Sequence, residues 1–343
     1  MTTRGRRKAG PSIEDVARLA GVSAQTVSRV STGAERVRPG TRDKVLAAMD
    51  QLGYSPNHAA RALRSGAFGT IGLISHRFER TGETLTTSAV IAAAEARDYA
   101  VTIVNARNHR ADDPGADSWD TATTRLSNLA IDGLIVIRNE GTPEQLRLPA
   151  RLPVAVSDSR LVAFYPAVST DHMQGSTLAT EHLLGLGHRT VHHLAGPLDS
   201  DPAIIRESAW RRTLENAGIR PPEAFRGDWT AASGYEIGRR IADDPSVTAL
   251  YSANDEMAIG VVRAMHEAGR RVPEDLSVVG FDDIALSDFL YPPLTTIRQD
   301  FARIGEELVR LVVDQIQTKA PPASSRVQVP SELIIRATTA PPR

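Results

Sequence analysis

The sequence predicts an α/β protein in which a small all-helical head precedes two doubly wound lobes. Short apolar runs of strand length recur from Thr70 onward, each separated from the next by about a helix length. That spacing belongs to βαβ units wound around a parallel sheet. The runs form two series, so two sheets are expected, with a ligand site at the carboxyl ends of their strands. Ahead of them, the first 54 residues carry helix signals and no strand pattern.

Within the head, Ser12 followed three residues later by Asp15 has the spacing of a capping box, which starts a helix near Ile13. Val16, Ala17, Leu19 and Ala20 supply its apolar face, and Gly21 ends it. Ser23 is placed to cap a second helix, Ala24 to Val30, with Val27 and Val30 inward. A third helix is predicted from about Arg42 to Leu52, with Val45, Leu46 and Met49 on its buried side and Gly53 as its stop. Residues 55–69 are rich in Ala and Arg but poor in large apolar groups. They read as a linker or conditional helix with too little core to stand alone.

Strands are predicted at 70–75, 100–105, 132–137 and 153–157, then at 190–196, 248–254 and 276–283. TTIRQDF, a long helix over about 301–317 and VPSELIIRAT complete the chain. The expected divisions are a head over 1–54, a linker over 55–69 and a core over 70–343. Lobe one takes about 70–169 and 299–328, and lobe two about 170–298 and 329–343.

Composition narrows the functional classes. No apolar run approaches the 18 residues of a membrane span, and the basic start MTTRGRRKAGP has no apolar segment behind it, so a cytoplasmic protein is expected. The chain has no cysteine, which removes disulfides, thiolate nucleophiles and zinc fingers. Its net charge of −1 conceals an asymmetry: residues 1–65 carry +7 and the remainder −8. A basic head on an acidic body fits a head that meets a polyanion.

The string IEDVARLAGVSAQTVSRV has the spacing of a helix-turn-helix, with small Ala17 at the crossing and Gly21 in the turn. Any α-hairpin with a glycine corner shares that much. The basic surroundings and the exposed Gln25, Ser28 and Arg29 favour DNA, because Gln and Arg suit bidentate contacts with base edges in the major groove. These residues, with Ala20-Gly21-Val22-Ser23 and the run VRPGTRDKVLAAMDQLGYSPNHAARAL, resemble the lac repressor (LacI/GalR) family of bacterial transcriptional regulators. The similarity continues through the body to TTIRQDF. It implies a double-stranded DNA operator, contacted by Ser23, Ala24, Gln25, Thr26, Ser28 and Arg29 and, in the linker, by Asn57, Ala60 and Leu63. Leu63 takes the place of the leucine that wedges into the minor groove, and the linker is expected to order only on DNA. Thr32 replaces an Asn found in many relatives, and Ala24 a bulkier reading residue.

For the body, the resemblance implies a two-lobed core like the sugar-binding periplasmic proteins of type I, with a small-molecule carbohydrate effector between the lobes. His76, Asp158, Arg206, Trp229, Asn254, Asp282, Gln299 and Phe301 fall at effector-binding positions, with Thr86 nearby. Their chemistry suits a sugar: an arginine fork and an amide for hydroxyls, carboxylates that accept from vicinal hydroxyls, and aromatic plates for an apolar sugar face. Each has a plainer reading. An Asp at a strand end often caps the next helix, which is the expected role of Asp255 and Asp283. Trp229 beside a glycine turn fits a core position, and Arg206 could pair with Glu207 or Glu215. GDW and PLTTIRQDF resemble members of the family that bind β-galactosides, so a β-galactoside or another disaccharide is the expected effector, with a nucleobase-like corepressor as the alternative.

No GxGxxG or GxSxG spacing is present, and His192 and His193 occupy opposite faces of one strand. Neither an enzyme nor a metal or cofactor site is therefore expected. A helix-turn-helix reads one half-site, so a homodimer on a palindrome is expected; only ATTAPPR follows Arg336, with no leucine heptads to build a tetramer.

Overall fold

A computed structural model describes residues 11–31, 37–54, 67–75, 77–106, 123–126, 129–138, 152–157, 164–319 and 325–343. The chain divides into two compact units, Met1–Phe68 and Gly69–Arg343.

Helices α1 (Ile13–Ala20), α2 (Ala24–Ser31) and α3 (Pro39–Leu52) form the first unit. The Ser12 hydroxyl accepts from the Asp15 amide at 3.2 Å, and the Asp15 carboxylate accepts from the Ser12 amide at 2.9 Å. The Ser12 amide and, at 2.7 Å, the Ser12 hydroxyl both donate to the half-buried Asp15 carboxylate and hold it below its ordinary pKa. Gly21 closes α1 at a φ of 65°, where an L side chain is disfavoured. The core is Val16, Ala17, Val27, Val30, Val45, Ala48 and Met49. Two expectations need correction. Helix α3 starts three residues early, because Pro39 presets φ at its first position and has no N–H to leave unpaired. Leu19 and Leu46 are exposed; Ala48 fills the place expected of Leu46, since three helices this short enclose only one narrow seam.

The second unit holds two six-stranded sheets. The first has the order β11-β5-β4-β3-β1-β2, from β1 (Thr70–Ser75), β2 (Ala100–Asn105), β3 (Gly133–Ile137), β4 (Val154–Ser157), β5 (Ala167–Thr170) and β11 (Arg326–Val329), all parallel. The second has the order β12-β10-β9-β8-β6-β7, from β6 (His192–Ala195), β7 (Phe225–Arg226), β8 (Ala249–Ser252), β9 (Ser277–Asp282), β10 (Thr295–Arg298) and β12 (Glu332–Ile334). Only β12 runs antiparallel. The central strands of each sheet are buried on both faces, as parallel sheets require. Helices α4 (Thr81–Glu95) and α9 (Phe301–Thr318) cover one face of the first sheet through Val90, Ala93, Ile304, Leu308 and Val312. Across the second sheet, α7 (Ala231–Ala242) and α8 (Asp255–Glu267) lie on one face, and α5 (His172–Gly185) and α6 (Asp201–Asn216) on the other. The α7–α8 crossing is so close that a Cβ on Gly234 would lie 2.1 Å from the Met257 carbonyl oxygen. Glycine is obligatory there.

Five strands beyond the predicted seven complete the sheets: β5, β7, β10, β11 and β12. Each is only two to four residues long, too short to show a period by itself. The chain passes between the sheets three times, after β5, after β10 and after β11. These crossings are stitched together: the Asp171 amide donates to the Val329 carbonyl at 2.8 Å, and Thr170 donates to the Gln299 side chain at 2.5 Å. Among the described residues, no helix is long and apolar enough to cross a membrane.

Candidate functional site

Where the carboxyl ends of both sheets face each other lies a cavity of about 410 Å³. The first sheet and its helices contribute Arg80, Thr81, Gly82, Glu83 and Thr86 from the start of α4, Arg138 after β3, Ser157 from β4 and Thr170 from β5. The second contributes Arg206 from α6, Trp229 before α7, Asn254 before α8 and Asp282 at the end of β9. Gln299 and Phe301 enter from the second crossing and His172 from the first. Six of the eight residues expected at an effector site thus line one cavity: Arg206, Trp229, Asn254, Asp282, Gln299 and Phe301. His76 and Asp158 lie outside the described residues.

Arg206 is 4% exposed and is held from several sides. Its guanidinium carbon sits 3.7 Å from the Phe281 ring centroid and 5.6 Å from that of Trp229. Nη1 donates to the Ala253 carbonyl, while Nε and Nη2 approach His172 Nδ1 at 3.4 and 3.3 Å. Its acidic neighbour is Asp282, at 3.7 Å. Glu207, one of the partners considered from sequence, pairs instead with Arg211 and Arg226.

Asp282, 6% exposed, accepts from Gln299 Nε2 at 2.6 Å through Oδ1. Among the described residues Oδ2 has no hydrogen-bond partner. Burial pushes the carboxyl up to about 7, against the opposing pull of Arg206. Its backbone is also unusual, with φ values of 120° at Asp282 and 57° at Asp283. Such strain persists only where neighbours over-determine it. Asp283 is clamped between Arg298 and Arg336, each at 2.7 Å, and Asp255 accepts from the Ile284 amide at 2.9 Å and from Ser287 at 2.8 Å.

These contacts correct the sequence reading of three polar residues. Asn254, not Asp255, caps α8: its Oδ1 accepts from the Met257 amide at 3.0 Å. Its Nδ2 donates to the Trp229 carbonyl at 2.9 Å and approaches Glu256 at 3.4 Å, so the amide is committed to holding Trp229. Asp255 and Asp283 are not caps but anchors of the loop after Asp282. Both face partners about 15 to 50 residues away in sequence, which no local rule could select. Trp229 stands at a φ of 76° with its indole packed over Gly196, where a Cβ would lie 2.4 Å from it. It is partly exposed to the cavity, not sealed in the core.

Two contacts bridge the cavity rim between the sheets. Thr81 donates to the Glu256 carboxylate, and Arg80 Nη1 donates to the Asp228 carbonyl at 2.5 Å. Sequence reasoning missed His172, Arg138, Glu83 and Glu256. Of these, Arg138, directly after the predicted strand 132–137, stood where a carboxyl-end rule could have found it; His172 lies two residues past β5, a strand too short to be predicted.

In the first unit, Ser23, Gln25 and Arg29 are exposed, and Ala24, Thr26 and Ser28 partly so. Ser23 Oγ accepts from the Thr26 amide at 3.2 Å and meets Thr26 Oγ1 at 2.9 Å, so both hydroxyls serve the start of α2. Gln25, Ser28 and Arg29 lie on the side of α2 away from Val27 and Val30. Asn57, Ala60 and Leu63 lie outside the described residues.

The profile of bacterial regulatory proteins of the lacI family matches residues 12–57, and that of the periplasmic binding protein-like domain matches 180–339. The chain is 34% identical over 337 residues to the HTH-type transcriptional repressor PurR of Haemophilus influenzae (strain PittEE), covering 95% of this chain and 97% of that protein. It is 34% identical over 337 residues to the lactose operon repressor of Escherichia coli K12, covering 96% and 91%. The lac repressor dimer bound to operator and the anti-inducer ONPF superposes with a TM-score of 0.80 at 31% identity, over 97% of this chain and all of that one. A complex of the transcriptional regulator CelR with cellobiose superposes with a TM-score of 0.68 at 28% identity, over 96% and 99%. With its helix-turn-helix, its two-sheet core and this identity along nearly the whole length, the chain belongs to the lacI family of bacterial transcriptional repressors.

Proposed function

We propose that this repressor binds a palindromic operator as a homodimer and that a carbohydrate held in the cavity governs its hold on DNA. The observation that carries the carbohydrate reading is the pairing of Arg206 and Asp282 beside Trp229 and Phe301. Arg206 has N–H groups left after its protein bonds, and Asp282 Oδ2 is open to a hydroxyl. Aromatic faces beside such donors and acceptors suit a ring with one polar edge and one apolar face. Similar chains solved with cellobiose and ONPG support the same class. The exposed Gln25 and Arg29 support base reading by α2, and the proposed linker contacts of Asn57, Ala60 and Leu63 extend it.

The dimer reading draws on an apolar surface. Leu286, Phe289 and Tyr291, the last two 84% and 94% exposed, cluster within six residues of one loop. A patch of that kind on a soluble chain marks a protein contact.

Melting of the full-length protein against ONPG, cellobiose, ribose and free nucleobases tests the effector class, since a bound ligand raises apparent stability by mass action. A sugar that raises Tm and also dissociates a labelled operator fragment supports the reading. Stabilisation by a nucleobase and by none of the sugars overturns it.

A further inference from the structure

We infer that His172 is an effector-contacting residue that selects ligands by offering a single N–H donor to a ligand oxygen. The inference rests on the carbohydrate reading of the cavity. His172 is the first residue of α5, directly after the first crossing between the sheets, and it lines the cavity beside Arg206.

The argument begins with a tautomer. Arginine only donates, and two of its nitrogens, Nε and Nη2, approach the same atom, His172 Nδ1. Nδ1 must therefore be the acceptor, and the single proton of the neutral ring sits on Nε2. Protonating Nδ1 would set an N–H against a buried guanidinium. Burial and the Arg206 cation together hold His172 well below its ordinary pKa, so the ring stays neutral. No other titratable ring or carboxylate approaches it within hydrogen-bonding reach among the described residues. The Phe281 ring lies beside it, tilted, with ring centroids 5.9 Å apart.

Nε2–H consequently has a fixed identity and no assigned task. Among the described residues it meets no acceptor, and it is not among the buried polar atoms sealed from solvent. A polar N–H on the wall of a ligand cavity, with its tautomer locked by the residue that faces the same ligand, is a preorganised donor. A glycosidic oxygen, ring oxygen or hydroxyl oxygen can accept from it. A ligand presenting a methylene or another N–H there cannot.

Two conservative variants separate this role from mere support of Arg206. Asparagine places an acceptor oxygen near the Nδ1 position but has nothing near Nε2. Glutamine places an amide donor near Nε2 but loses the acceptor that Arg206 uses. Calorimetric titration of the full-length protein uses whichever of ONPG, cellobiose and ribose binds wild type most tightly. His172→Asn should weaken that sugar about tenfold or more, and His172→Gln by less than about threefold. In the 15N spectrum of labelled histidine, the resonance lost in His172→Gln should report the Nε2–H tautomer and remain neutral from pH 8 to pH 5. The reverse order of the two variants would make His172 a positioning residue for Arg206 and overturn the inference. So would equal binding by both, or an Nδ1–H tautomer. If none of the three sugars binds wild type, the carbohydrate reading fails first and this inference falls with it; failure in the variants alone leaves that reading standing.

Discussion

Gln299 donates to Asp282 at 2.6 Å across the second crossing between the sheets, and the same side chain accepts from Thr170 at 2.5 Å beside the first. One glutamine thereby ties the cavity carboxylate to both passages of the chain. Any ligand that engages Asp282 is connected, through Gln299, to both segments that join the two sheets. A ligand that prefers one arrangement of those segments shifts the equilibrium toward it, which is all that control of a repressor requires.

The Asp282 carboxyl gives a pH signature. Burial raises it to about 7 in the folded protein, whereas in the unfolded chain it ionises near 4. Between those values the unfolded state has released a proton that the folded state keeps, so stability falls as pH rises from about 4 to about 7 and is level above. Asp282→Asn lacks this loss. The Tm of the variant minus that of wild type should therefore be larger at pH 8 than at pH 5, measured by scanning calorimetry. A difference independent of pH would place the carboxyl in its ordinary range.

Arg206→Ala should lose the response to sugar. It should also melt earlier at pH 8, because Asp282, already raised to about 7, loses the cation that opposes its protonation and must take up a proton to stay buried. Operator affinity without sugar should persist below the melting range. Wild-type release of operator by the same sugar concentration would remove Arg206 from the effector site.

Arg29 is exposed on α2, on the side away from the head's core. Arg29→Ala should cost about 1–3 kcal/mol per half-site against the specific operator while leaving weak binding to unrelated duplex largely intact. Fluorescence anisotropy with both duplexes at one fixed salt concentration reads the two separately. An equal loss on both would make Arg29 a phosphate contact.

Tyr291 is the most exposed of the large apolar side chains in its loop. Tyr291→Asp should shift the protein toward monomer in sedimentation velocity runs, because a charge buried without a partner opposes association. It should leave the monomer folded, since the side chain contributes to none of the apolar cores. A variant that sediments as wild type does would place the dimer surface elsewhere.

The sequence by itself determined the local structure of this protein. The Ser12–Asp15 box, the Gly21 turn and the inward Val27 and Val30 are decided within a few residues, so the head could be read directly. The strands at Thr70 and Ser277 were legible because a doubly buried strand is a continuous apolar run. The resemblance to a known family also nominated Arg206, Trp229 and Asp282 for one site. What only the tertiary structure decided is which polar group meets which. That Asp255 pins a loop through Ser287, and that His172 fixes its tautomer against Arg206, depends on partners tens of residues apart in sequence. Periodicity says which face of an element is buried, but not what the neighbouring element places against it. A buried hydrogen bond is set by that meeting, because each polar atom taken from water must find a partner in whatever geometry the packed sheets allow.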